Sequence, residues 1–600
     1  MKLKYNIIIP SLLVCAFTVA CTTELKDDSV SELETRVAKA SLQGKVDKAQ
    51  PQPNPEDAAT PSTERDQTGA SRHRLTEKKE SIEKMHSYRN RPATTSLINQ
   101  NVVHWPTESL NRENYAHFSN NPIKLAGEHP VSTFSVDVDS GAYANIRRML
   151  NKGRLPPQDA VRVEEMINYF AYDYKTPQSR KQPFRVTSEM APSPWNRENH
   201  LLHIGIKGYE MDKSTLPASN LVFLIDVSGS MRSADKIGLL KSSLKMLSRQ
   251  LSTRDRISIV VYAGSSGVVL EPTPGNQHGK IAAALDQLQA GGSTNGGAGI
   301  RLAYMMAEQA FIEGGINRVI LATDGDFNVG TVNFEALTDL VETKRKSGVS
   351  LTTLGFGSGN YNDHLMEQLA DKGNGNYAYI DTIHEARKVL VDEIGSTLMT
   401  IAKDVKIQIE FNPSVVKEYR LIGYENRMLK REDFNNDKID AGEIGAGHTV
   451  TALYEVTLHG KGGMVDPLRY SSEKIVQKRG SREIAFLRLR YKQPDANKSK
   501  LIEYPLHKRM IKSSLAKTTD RFRFSASVAA FGDLLRGGEY TGEFSYGDLL
   551  KLARKSRGND STGYKGEFIN LVKTAKELDT RHTTHTPHQP HSGDDGLVIE

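Results

Sequence analysis

Between residue 216 and residue 398 the chain alternates short, mainly apolar runs with longer amphipathic stretches. The apolar runs cover residues 221–225, 256–263, 318–323 and 350–355. They are too short for core helices and lack the period-two alternation of a half-solvated strand, so they read as strands buried on both faces. The intervening stretches, residues 235–251, 280–288, 299–312, 333–347 and 364–372, place apolar residues at helical spacing,. Residues 383–398 predict a closing helix. Strand–helix alternation with doubly buried strands calls for a mainly parallel sheet covered by helices on both faces. The expectation is a doubly wound α/β fold.

The pattern differs on either side. Residues 116–183 read as an N-terminal α/β unit: a strand over 131–138, a helix over 140–150 capped by Asp139 or Ser140, a Pro156-Pro157 break, and a second helix over 161–170,. Residues 184–215 alternate like strands, and strand patterns return over 405–411, 449–458 and 483–491 within a 400–500 β domain. If the two sets pair, the 216–398 unit is an insertion in one flanking β domain. Residues 501–580 read as mainly helical, including 524–535 and 546–557. Residues 581–600, with His582, His585, His588 and His591, read as a disordered polar tail,.

Composition adds little until the N-terminus is considered. With 38% apolar residues, 25% charged residues and a net charge of +7 over 600 residues, the chain is globular, and its charges are mixed. No basic stripe carries interleaved aromatics, which argues against nucleic acid as a partner. Lys2 and Lys4 precede an apolar stretch over residues 7–20 that is too short to span a bilayer and reads as an export signal,. Thr18-Val-Ala20-Cys21 resembles a bacterial lipobox, with Thr18 where leucine is usual. Residues 1–21 are therefore expected to be a lipoprotein signal peptide and Cys21 the lipidated residue, anchoring the chain to a membrane of the bacterial cell envelope. Thr22 gives no reason for inner-membrane retention, so the outer membrane is preferred. Cys15, behind Val14, would leave with the signal. Residues 22–115, with few large apolar residues, read as a disordered linker,.

Three pieces carry candidate chemistry. Asp226-Val-Ser228-Gly-Ser230 follows the first apolar run, Thr294 lies in Gly-Gly-Ser-Thr-Asn-Gly-Gly, and Asp324 follows the 318–323 run and precedes Gly325. In an open parallel sheet, loops at the carboxyl ends of the strands gather where the connections diverge, and ligands bind there. The set offers only oxygen: two carboxylates and three hydroxyls. That suits Mg²⁺, Mn²⁺ or Ca²⁺ rather than zinc. With so few anionic ligands the ion stays electrophilic, and a position left to water could accept a carboxylate from a partner.

These residues give the stretch from 219 to about 398 its resemblance to a von Willebrand factor type A domain with a metal-ion-dependent adhesion site. The resemblance implies a Rossmann-like fold, a bound Mg²⁺ or Mn²⁺ at Asp226, Ser228, Ser230, Thr294 and Asp324, and a protein ligand recognised through an acidic side chain. Two further stretches, from Asn121 to Pro130 and from Asp440 to Glu455, resemble a bacterial lipoprotein-like subgroup with this domain, extending the likeness over residues 120–580. The expected function is adhesion to a protein partner without catalysis. Two alternatives remain: a metal-assisted hydrolase with Asp326 as base, and a scaffold whose metal is only structural. The remaining motifs are weak. Asp433-Phe-Asn435-Asn-Asp437 has Lys438 where a calcium loop needs glycine, so it reads as a solvated turn,. Gly355-Phe-Gly357-Ser-Gly359 alone implies no dinucleotide.

Overall fold

The structure, a computed structural model, describes residues 113–136, 139–179, 181–325, 334–466 and 482–583. The expected signal peptide with Cys21, the linker up to residue 112, Asp326 and the histidine-rich tail beyond residue 583 lie outside these. The strands are β1 (Lys124–Leu125), β2 (Val131–Ser135), β3 (Phe184–Pro192), β4 (His200–Gly208), β5 (Ser219–Asp226), β6 (Arg256–Tyr262), β7 (Ser266–Pro274), β8 (Ile316–Thr323), β9 (Ser350–Phe356), β10 (Tyr377–Ile380), β11 (Thr400–Phe411), β12 (Val416–Ile422), β13 (Ile444–Gly445), β14 (Thr449–Leu458), β15 (Glu483–Lys492) and β16 (Ser499–His507).

The central sheet runs β10-β9-β8-β5-β6-β7. Every pairing is parallel except that of β6 with the edge strand β7. Side chains of β5 alternate between two cores, as strand geometry demands. Leu221, Phe223 and Ile225 meet Leu240, Leu244 and Leu247 of the helix Leu239–Ser248. Val222 and Leu224 meet Ile300, Ala303 and Ala307 of the helix Gly296–Gln309. Each fully buried side chain of this kind contributes about 1.5–3 kcal/mol, so β5 is fixed from both faces. This is the expected doubly wound α/β fold. β5 lies between β6 and β8, so the connections leaving its neighbourhood diverge at its carboxyl end.

Besides β10 and the interior strand β12, sequence patterning misses β7 and β16. Both are edge strands, and both carry proline (Pro272 and Pro274, Pro505), a residue that central strands exclude but edges tolerate. The closing helix is broken into Ile383–Arg387, a wide turn Lys388–Asp392, and Ile394–Leu398. There the Glu393 N–H donates to the Lys388 carbonyl, five residues back. The extra residue lets Val389, Leu390, Ile394 and Leu398 all reach the core,.

Two further sheets flank this unit: β1-β12-β14-β4-β3, and β13-β11-β15-β16 with β2 also paired to β11. β4 pairs antiparallel with β14 from His200 opposite Val456 to Lys207 opposite Thr449. Strands from before and after the α/β unit therefore share a sheet. Their inner faces meet in one core that includes Leu202, Ile204, Tyr454, Ile407 and Leu489. A separate core joins the helices Gly141–Asn151 and Val163–Asn168 to the C-terminal helices Asp520–Leu535, Tyr546–Ser556 and Tyr564–Thr583. Ser140, at the N-cap of the first of these helices, makes no capping bond through its side chain. Glu165 of the second helix accepts from Ala142 N at 2.8 Å instead, and Asp139 accepts from Tyr377 N at 2.9 Å. No helix among the described residues is long and apolar enough to cross a membrane.

Candidate metal centre

β5 ends at Asp226, and the loop that follows is stitched to its neighbours through the backbone. Val227 N donates to Tyr262 O at 3.0 Å, Gly229 N to Gly292 O at 3.0 Å, and Gly291 N to Val227 O at 2.8 Å. The Gly-rich loop carrying half-buried Thr294 is thereby fastened to the loop carrying Ser228 and Ser230. Thr294 lies two residues beyond the Gly292 carbonyl, just before the helix Gly296–Gln309. Asp324 enters from the adjacent strand: Ile225 of β5 lies opposite Ala322 of β8 in parallel register. Gly325 then turns the chain at φ +84°, and a Cβ there would sit 2.4 Å from Asn362 N. Only glycine fits that turn.

Asp226 is fully buried and held by three donors. Oδ1 accepts from Ser228 N at 2.8 Å; Oδ2 accepts from the Thr323 hydroxyl at 2.8 Å and the Tyr262 hydroxyl at 3.2 Å. Burial pushes its carboxyl above the ordinary aspartate range, and nearby Asp324 adds to the rise, while the bonds from Ser228 and Thr323 oppose it. The Ser228 and Ser230 hydroxyl oxygens are 3.0 Å apart. Asp324, also fully buried, accepts at Oδ2 from Lys236 Nζ at 2.8 Å and Asn360 Nδ2 at 3.3 Å. Lys236 Nζ donates in addition to Asn360 Oδ1 at 3.1 Å.

The Ser228 and Ser230 hydroxyls are hydrogen-bonded to each other, at a spacing that two oxygen ligands of a small hard cation would also take. In an octahedron with bonds of about 2.0–2.1 Å, neighbouring oxygens lie about 2.9–3.0 Å apart, which is the separation of the two serine hydroxyls. No group of three or more His, Cys, Asp or Glu among the described residues could hold a metal. Here, by contrast, hydroxyls supplement two carboxylates. Lys236, Tyr262, Thr323 and Asn360 escape sequence reasoning. Thr323 and Tyr262 read as strand residues. Lys236 reads as the solvated face of a helix. Asn360 reads as a turn residue.

A protein of Escherichia coli (strain K12) named YfbK is 48% identical over 468 residues, covering 77% of this chain and 80% of its own. The chain belongs to the YfbK family. The signature of the von Willebrand factor type A domain matches residues 220–391, a von Willebrand factor signature matches residues 109–203, and the YfbK C-terminal signature matches residues 396–578. This member of the YfbK family is thus a von Willebrand factor type A domain protein. Human inter-alpha-trypsin inhibitor heavy chain H4 is 32% identical over 152 residues, which are 24% of this chain and 16% of that protein. The solved von Willebrand factor type A from Catenulispora acidiphila aligns over 66% of this chain and 91% of its own, at 13% identity and a TM-score of 0.37, a likeness too remote to argue from.

Proposed function

We propose that this chain grips a protein partner through a divalent cation, Mg²⁺ or Mn²⁺, held by Asp226, Ser228, Ser230, Thr294 and Asp324, with an acidic side chain of the partner completing the coordination. The observation that carries this reading is the pair of serine hydroxyls 3.0 Å apart beside two buried carboxylates, where the connections of the parallel sheet diverge. The von Willebrand factor type A match over residues 220–391 supports protein binding rather than catalysis at such a site. We further place the chain at the cell envelope, anchored by lipid at Cys21.

The test uses the full chain. Calorimetry and Mn²⁺ electron paramagnetic resonance are expected to show one divalent site, abolished in Asp226→Ala. Partner capture from membranes in Mg²⁺ is expected to fail with EDTA and with the same variant. Capture undiminished by chelator would end the adhesive reading. In the same cells, Cys21→Ser is expected to abolish incorporation of a labelled fatty acid and release the protein from the membrane fraction. Retention at wild-type level would refute the anchor.

A further inference from the structure

We propose that Lys236 is an internal counter-ion that competes with the divalent cation for Asp324, an inference that rests on the metal-binding reading above. Its ammonium lies 2.8 Å from Asp324 Oδ2, with the lysine side chain 9% exposed and the aspartate fully buried. The position is built, not incidental. Lys236 Nζ has a second acceptor in Asn360 Oδ1, and Asn360 Nδ2 turns back to the same Asp324 oxygen. The aliphatic stem crosses Gly357, whose φ is +77°; a Cβ there would lie 2.3 Å from the lysine Cγ and Cε. The loop that carries Gly357 and Asn360 is itself pinned. Gly359 N donates to Glu113 at 2.9 Å, and Asn114 N donates to the Tyr361 carbonyl at 2.9 Å.

The charges give the consequence. Asp226, Asp324 and Lys236 together carry one net negative charge when both carboxylates are ionised. A monovalent cation that displaced the ammonium would exchange like for like and gain nothing. A divalent cation brings a surplus charge into a site screened from water, where each charge counts for more. The lysine thus weakens binding of every cation and excludes monovalent ions, so the site is selective for a divalent ion, which neutralises both carboxylates once the ammonium is displaced.

Lys236→Met and Lys236→Arg in the full chain test this, with Mg²⁺ affinity read by calorimetry, Mn²⁺ by electron paramagnetic resonance, and melting temperature with and without Mg²⁺. Lys236→Met is expected to tighten Mg²⁺ binding about tenfold or more and to enlarge the Mg²⁺-induced rise in melting temperature. Lys236→Arg keeps the charge and is expected to bind Mg²⁺ no more tightly than the wild type. A folded Lys236→Met protein that binds Mg²⁺ as the wild type does, or more weakly, overturns the inference. If Lys236→Met folds only with divalent ions present and not with Na⁺, the inference is supported; if Mg²⁺ does not restore folding, or if Lys236→Arg binds more tightly than the wild type, it is overturned. Wild-type binding lost in Asp226→Ala but indifferent to Lys236 would sink this inference alone, whereas no binding by any of these proteins would sink the metal reading with it.

Discussion

Asp226 and His203 are buried to the same degree and face the same physical problem with different outcomes. Asp226 has three donors, so its charge has partners. His203 has the Tyr174 hydroxyl at 2.9 Å. Burial, reinforced by Arg521, pushes its pKa down to about 3. Against an ordinary histidine value of about 6.5, the folded state refuses a proton that the unfolded chain accepts. The stability this represents is fully present above pH ~6.5 and is lost as pH falls toward about 3, at about 1.4 kcal/mol per pH unit. Melting temperatures at pH 7.5 and 5.0 are expected to fall more steeply for the wild type than for His203→Gln; equal slopes would remove His203 from the account. At this scale the sequence was most readable where residue type and loop position coincide. Asp226, Ser228, Ser230, Thr294 and Asp324 combine a distinctive oxygen chemistry with turns after buried strands. Lys236 and Asn360 were unreadable because their roles depend on the 357–362 loop, which carries Asn360, folding over Lys236, and nothing local in sequence records that.

The element that sets the site's shape is the helix Gly296–Gln309, which opens two residues after Thr294. Its Gly299 lies against β6 so closely that a Cβ would sit 2.8 Å from Tyr262 Cβ and 3.2 Å from Leu224 Cδ1. Tyr262 in turn bonds Asp226. Helix, strand and carboxylate therefore form one stack, and the glycine sets its spacing. Gly299→Ala is expected to cost about 1–3 kcal/mol through overpacking and to weaken Mg²⁺ binding by moving the Thr294 loop. Urea unfolding would measure the first and calorimetry the second. Gly279, in the helix His278–Asp286, is the control, because a Cβ there would have nothing within 4 Å. Gly279→Ala is expected to cost no stability. Equal effects at the two glycines would refute the close-packing argument. The elements of this domain were legible because both faces of β5 and β8 are buried, which makes their apolar runs unbroken. The two proline-bearing edge strands were not, since an edge needs neither an apolar run nor a full set of N–H donors.

At the scale of the whole molecule, buried ion pairs join stretches that are far apart in sequence. Arg162 pairs with Glu165 and with Asp363 of the α/β unit. Arg427 of the β domain pairs with Asp371 and, at 2.9 Å, with Glu367. Arg147 is the densest of these joints. It binds Asp381, with Nε 2.8 Å from Oδ2, and Glu385 at 2.7 Å in the α/β unit, and Glu567 at 3.0 Å in the C-terminal helix. None of this was visible in the sequence, because a charged residue in an amphipathic stretch reads as solvated, and all of these partners but Glu165 lie 56 to 420 positions away. Taking away one member of such a set leaves buried charge without compensation, which costs about 3–5 kcal/mol. Replacing the whole set with neutral groups avoids that penalty. Arg147→Met is therefore expected to lose about 3–5 kcal/mol, because Asp381 and Glu385 stay buried and burial already drives the Asp381 carboxyl upward against the pull of Arg147. The triple variant Arg147→Met, Asp381→Asn, Glu385→Gln is expected to recover at least half of that loss, as measured by urea unfolding at one pH. If the triple variant is no more stable than Arg147→Met alone, the arginine acts through packing of its guanidinium near the Tyr143 and Tyr169 rings, 5.8 and 5.7 Å from their centres, and the electrostatic account of how the α/β unit is fastened fails.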